Sequence, residues 1–203
     1  MNIEHADDLT AKYRRFRLDE AEAHRERTLD TVIVPGLLQI PEYAAAIAHA
    51  RQPLERSPGW TKHAGAERRE RQASLDREPE PLHLHTLVHE GALRTIIGGA
   101  EIMTAQLEHL LDMAERPNIT IQVVPFDHGA HGAMTGPWFL LSFPEDDEAD
   151  AAYTESMTGM DNVGAPDDVA RLAQVWQKIA ETAPCPERSA DMIMSIRKEV
   201  RPR

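Results

Sequence analysis

Ten histidines in a chain of 203 residues put metal chemistry first among the reactions to test. His83, His85 and His89 share one parity in LHLHTLVHE, so on an uninterrupted strand all three point to one side, with Glu90 next in line. Imidazoles with a carboxylate nearby form the donor set of zinc and other first-row metals. The spacing limits that reading, because His83 to His89 spans about 20 Å at about 3.3 Å per residue. One ion therefore reaches His83 and His85 at most, and the plainer alternative is a half-exposed strand face that tolerates histidine. HEGAL is not the helical metalloprotease motif, since Leu93 stands where the second histidine belongs. Cys185, the single cysteine, lies between Pro184 and Pro186 and has no disulfide partner in the chain. No Gly-x-Ser-x-Gly elbow, P-loop or Gly-x-Gly-x-x-Gly occurs, and the acidic run at 145–150 is too clustered to hold a tuned acid and base. Nothing in these patterns compels an enzyme.

The elements that would position such residues read as α+β. From Glu4 to Leu29 the chain is rich in Ala, Glu and Arg without Gly or Pro, which predicts a long helix with a thin stripe of Leu9, Tyr13 and Phe16. Thr31 to Val34 is short and β-branched, Pro35-Gly36 reads as a turn, and Pro41 opens a helix. A charged helix is expected at about 62–76. LHLHTLV at 82–88, ITIQVVPF at 119–126, WFLLSF at 138–143 and DAAYTES at 150–156 read as strands. Between the first two, Ile102, Met103, Leu107, Leu110 and Leu111 mark a strongly periodic helix at about 100–115. Two more helices follow, at about 166–182 and from about Ser189, a plausible N-cap, to Val200. The expectation is a small mixed sheet of about four strands packed with helices, with residues 1–30 as a helical extension and 31–203 as one domain.

Composition narrows the partners. Hydrophobic residues at 41% and charged residues at 28% describe an ordinary folded chain. No apolar run approaches the ~18 residues of a membrane span and the start is too charged for a secretory signal, so a cytoplasmic location is expected. The net charge of -12 repels phosphates, which argues against direct nucleic-acid binding. Arg68 to Arg71 is a local basic cluster with acidic neighbours, and a solvated helix face is its expected state.

Three segments carry a family resemblance: TVIVPGLLQIPEYAAAIAH at 31–49, ERRERQASL at 67–75, and QLEHLLDMAERPNITIQVVPFDHGAHGAMTGPWFLLSFPE at 106–145. Together they resemble the domain that follows the helix-turn-helix in WhiJ-like, antitoxin-like Xre regulators of actinomycetes, from about Phe16 to about Ile196. No helix-turn-helix precedes it in this sequence. The resemblance implies a domain that receives a signal, often from a small partner protein, and that pairs with such a partner, with a full-length helix-turn-helix relative, with a small-molecule effector or with a second copy of itself. A different class of reading is a small-molecule binder or enzyme of a biosynthetic pathway derived from that domain. The family motifs include Glu90, Ala92, Leu93 and Arg94, then Pro125, Phe126, Gly129, Ala130 and His131, then Tyr153 and Glu155. His89 stands where an aspartate is more usual. Glu90, Arg94, Gln122, His131 and Glu155 thus fall at or beside strand ends and are the candidate ligand- or partner-binding residues. No cofactor is implied, and a metal held by Glu90, His131 and Glu155 is the one alternative of that kind. An internal network tying the 127–136 loop to the sheet is the structural reading of the same residues.

Overall fold

The computed structural model describes residues 10–51, 60–132, 134, 136–144, 150–156 and 159–201. Helix α1 (Ala11–Glu22) starts where the Thr10 hydroxyl accepts the Tyr13 amide at 3.3 Å. Strand β1 (Arg25–Asp30) follows after a two-residue turn. The PGLL turn then leads to α2 (Pro41–Arg51) and α3 (Trp60–Gln72). Next come β2 (His83–His89), α4 (Glu90–Arg94), α5 (Ala100–Ala114) and β3 (Ile119–Val124). The meander β4 (Trp138–Ser142), β5 (Ala151–Ser156) and β6 (Gly159–Val163) precedes α6 (Pro166–Thr182) and α7 (Pro186–Glu199). Proline at the first turn of α2, α6 and α7 costs no hydrogen bond there.

The strands form one sheet in the order β3-β2-β1-β4-β5-β6, parallel among the first three and antiparallel from β4 onward. Residues of one parity, including Leu84, Val88, Ile121, Val123, Phe139, Leu141 and Tyr153, face a core shared with α1, α5, α7 and the PGLL turn. The other parity, including Leu29, Leu87, Val124, Trp138 and Leu140, packs under α6 through Val169, Trp176 and Ile179. The free edge of β3 is sealed rather than left as a template for pairing. Ser189 Oγ accepts the Val123 amide at 3.0 Å, and Gln122 Nε2 donates to the carbonyls of Ala180 and Pro184 at 3.1 and 3.0 Å.

Four expectations are corrected. The sheet has six strands, not four: β2, β3, β4 and β5 lie where the sequence places them, whereas β1 and β6 went unread. The helix expected from Glu4 to Leu29 ends at Glu22, because Arg25–Asp30 pairs on both sides, with β2 and with β4; residues 1–9 lie outside the described residues. Residues 25–30, assigned to a helical extension, are therefore inside the sheet; the β-branched Thr31 to Val34 forms an irregular link after it. Cys185, not Ser189, holds the N-cap position of α7, and Ser189 is buried against β3. Of the acidic run at 145–150, expected as a solvated hairpin tip, residues 145–149 lie outside the described residues.

A chain beginning at residue 31 lacks an inner strand of the sheet and is expected to show no cooperative thermal transition by circular dichroism; a sharp transition would return residues 25–30 to an appendage. Ser189→Ala should cost about 1–3 kcal/mol, the penalty of an orphaned buried amide. Faster hydrogen exchange at Val123 is the accompanying signature, and unchanged exchange there would mean the edge is sealed by something else.

Candidate functional site

The parallel strands β1, β2 and β3 end on one edge of the sheet, where β4 begins and β5 ends. In open sheets this is the edge that presents ligand-binding loops. Glu90, the first residue of α4, is fixed there by two contacts, one of them extended by a third. Its Oε1 accepts Arg94 Nε at 2.6 Å, its Oε2 accepts the Phe126 amide at 3.0 Å, and Arg94 reaches on to Glu199 at 2.6 Å. Burial pulls the Glu90 carboxyl up, but the Phe126 amide and Arg94 outweigh it and hold it below the ordinary range. Glu90 therefore serves as the bracket between α4 and the loop after β3.

A histidine group sits beside that bracket. His89 Nδ1 accepts the Gly91 amide at 3.1 Å, which leaves the proton of the neutral ring on Nε2. Its ring meets Phe126 edge to face at 5.4 Å and His131 at 6.4 Å, and His131 meets His128 at 5.5 Å. The Thr182 hydroxyl spends its hydrogen on the carbonyls of Lys178 and Ile179, so the 2.9 Å contact with His128 has His128 Nε2 as donor. His131 titrates below an ordinary histidine, through burial first and then through the neighbouring His128 and His89. Among the described residues no group of three or more His, Cys, Asp or Glu is placed to hold a metal ion. His85 lies under α6, edge-on to Trp176 at 4.6 Å and 2.7 Å from Gln122 Oε1, so its Nε2 is occupied.

Of the five residues singled out in the sequence, Glu90 and Arg94 form one contact group, beside which His131 packs on His89. Gln122 belongs to the clamp under α6. Glu155 shares the parity of Tyr153 and so faces the opposite side of the sheet, where it acts on Asp30. Glu90 ties Phe126 to α4, and His128 ties the loop after β3 to Thr182 of α6.

On that opposite side stands a second group. Glu26, Thr28 and Asp30 of β1 point among the helices, at 1%, 1% and 4% exposure. Above them, Arg71 grips Glu20 through Nε at 2.8 Å and Nη2 at 2.5 Å, and lies over the Phe16 ring at 5.4 Å. Arg17 reaches Glu67 at 2.8 Å, and Arg68 reaches Gln39 Oε1 at 2.9 Å. The 68–71 cluster is thus largely internal, not the solvated face expected from sequence. The PGLL turn is built for it: a Cβ on Gly36 would lie 2.8 Å from Arg71 Nη1. Gln72, Gln106 and Tyr43 hold the backbone of 34–40 through Leu37 O, Gln39 O, Leu38 O and the Val34 amide.

The family model for a domain of unknown function, DUF5753, matches residues 13–195. The chain belongs to the DUF5753 family. No curated protein and no solved structure matches it. The DUF5753 match begins at Tyr13, inside α1, so α1 and β1 are part of the family domain, in agreement with their place on the sheet.

Sequence reasoning missed Glu26, Asp30 and the arginines above them. The one available signal was the alternation Glu-x-Thr-x-Asp in a stretch otherwise helix-like in composition. Burial, and then Glu20 nearby, pushes the Glu26 carboxyl well above its ordinary value; Arg71 opposes and Asp30 adds to the rise. Burial likewise takes Asp30 up to about 7, against the Thr28 hydrogen bond, with Glu155 raising it and Arg71 and Arg68 lowering it.

These groups fix the sign of a pH dependence. Between about pH 4 and about pH 7 the folded protein holds a proton on Asp30 that the unfolded chain has released, so stability falls as pH rises, and the raised Glu26 carboxyl acts in the same direction. For Asp30 alone, the change from 3.8 to about 7 is worth about 4 kcal/mol, an order of magnitude. Glu67, whose burial is outweighed by Arg68, Arg71 and Arg17, acts oppositely and loses its contribution as pH falls through the lower carboxylate range. Asp30→Asn should therefore raise the melting temperature at pH 8 and leave it little changed at pH 4.5; equal effects at both would mean that Asp30 is ionised in the folded protein at both.

Proposed function

We propose that this DUF5753 protein is a regulatory interaction protein of the WhiJ-like, antitoxin-like kind, which binds a partner protein or a small effector rather than DNA. The observation that carries the reading is the composition of one edge. Val32, Ile96, Phe126 and Met134 are 64%, 44%, 59% and 68% exposed, and they follow β1, α4 and β3 or precede β4. All four connections open on the edge where β1, β2 and β3 end. Only Leu18 and Met194 are otherwise exposed among the large hydrophobics described. Apolar side chains gathered on one edge and rimmed by Glu90, Arg94, Asp127 and histidines have the make-up of a docking surface. The net charge of -12 favours a basic partner and disfavours nucleic acid.

No helix among the described residues is long and apolar enough to cross a membrane. A helix-turn-helix relative with its own DUF5753 domain is the first partner to test. The double variant Phe126→Ser, Met134→Ser removes two exposed side chains and should keep the melting temperature while weakening complex formation at least about tenfold, since truncating interface anchors costs about 2 kcal/mol or more. Isothermal titration of wild type and variant against that relative is the measurement. Equal affinities would remove the edge from the reading, and a tight complex of the isolated chain with duplex DNA would overturn the reading itself.

A further inference from the structure

The ion pairs beneath the sheet balance with two carboxyls left over. Arg17, Arg68 and Arg71 are matched by Glu20, Glu67 and Glu70 in a closed set of contacts between 2.5 and 4.0 Å. Glu26 and Asp30 take no part in it. Among the described residues neither has an ion-pair partner, although each is at least nine-tenths buried. Asp30 Oδ2 accepts the Thr28 hydroxyl at 2.7 Å, and Thr28 in turn is 2.7 Å from Thr86. Beyond its backbone pairing in the sheet, Glu26 has a carboxyl oxygen, Oε2, that is sealed from solvent and has no hydrogen-bond partner among the described residues. A sealed carboxyl oxygen without a donor is costly when ionised, and the three arginines beside it are committed elsewhere, so the charged form of Glu26 needs a donor that arrives from outside.

We propose that Glu26 and Asp30 form the binding site for a small organic cation bearing N–H donors, of the ammonium or guanidinium class. The two carboxyls lie on one face of one strand, four residues apart, and accept hydrogen bonds without offering one once ionised. The Arg71–Glu20 pair, the Phe16 ring and the Thr28–Thr86 pair close the inner side. An entering cation takes the place of the protons that these carboxyls otherwise hold, one released to solvent for each carboxyl ionised. This site faces the opposite side of the sheet from His89, His131 and Trp176. Its variants therefore leave the edge residues of the docking surface intact, and either reading can fail alone.

The test is a set of titrations on the full chain at pH 7.5 with ammonium, 1,4-diaminobutane and agmatine, using tetramethylammonium and potassium as cations that donate no N–H. Thermal melting and calorimetry in two buffers of different ionisation enthalpy give affinity and proton release. The expected result is a rise in melting temperature and net proton release with at least one N–H donor, neither with tetramethylammonium or potassium, and a loss of at least about tenfold in affinity for Glu26→Gln. Glu26→Gln keeps the shape of the protonated side chain and should fold; Asp30→Asn is the second variant if it does not. An equal response to potassium or tetramethylammonium would overturn the recognition of N–H donors. No response to any probe, with both variants folded, would make Glu26 and Asp30 buried neutral acids and nothing more.

Discussion

An acidic inner strand under a layer of arginines is the constraint from which much of this structure follows. A strand buried on both faces normally reads as a continuous apolar run. β1 instead sets Glu26, Thr28 and Asp30 against the helices. Carboxyls there are tolerable only if cations or protons accompany them. The helices above carry Arg17 on α1 and Arg68 and Arg71 on α3, which pair with Glu20, Glu67 and Glu70 and favour ionisation of the β1 carboxyls only through the nearby charge of Arg71 and Arg68, without an ion pair to them. Gly36 clears space for the Arg71 guanidinium, Phe16 floors it, and Gln39 positions Arg68. Much of the PGLLQ and ERRERQ segments is thereby accounted for by one requirement. Replacing such a buried ionic set by apolar residues is often neutral or stabilising, so bare stability does not account for it.

The legible and illegible parts of the sequence divide along the same line. β2, β3, β4 and β5 announce themselves because Leu84, Val88, Ile121, Val123, Leu140 and Leu141 alternate or run together as apolar positions do on a covered sheet. α5 and α6 are equally plain, with Leu107, Leu110, Val169, Trp176 and Ile179 recurring at helical spacing. β1 was hidden because RERTLD carries one apolar residue in six and continues the Ala, Glu and Arg composition of α1. Its strand character comes from its neighbours, β2 and β4, and from no local preference. β6, GMDNV, is short and has only Met160 and Val163 as apolar side chains, and its place follows from its pairing with β5. The same blindness hid the interior site. Arg68 and Arg71 have the composition of a solvated helix face, and only the packing of α3 against the PGLL turn and α1 makes them internal.

Glu90 and His131 were legible as an edge group because a strand end followed by polar residues is visible in sequence. Glu155 was grouped with them for the same reason, but parity separates it. Tyr153 and Glu155 face the ionic side, and His89 faces α6. A one-residue difference in parity moves a side chain through the full thickness of the sheet, so residues at one edge divide between two sites.

The link between those sites is short. Asp30 ends β1, Val32 stands two residues on at the exposed edge, and Val34 is held by the Tyr43 hydroxyl and by Gln39. Residues 31–33 are therefore pinned at both ends, by the sheet pairing of Asp30 with Val88 and by the turn network at 34–40. A change of charge at Asp30 alters the interaction of β1 with Arg68 and Arg71, the side chains that also brace the turn through Gln39 and Gly36. If the internal cation site and the docking edge are both occupied in the working protein, coupling must be reciprocal: whatever factor the cation applies to partner affinity, the partner applies to cation affinity. A domain that receives a signal needs such a connection between an internal ligand and an outer surface, and the 30–40 segment supplies a covalent and hydrogen-bonded one within ten residues.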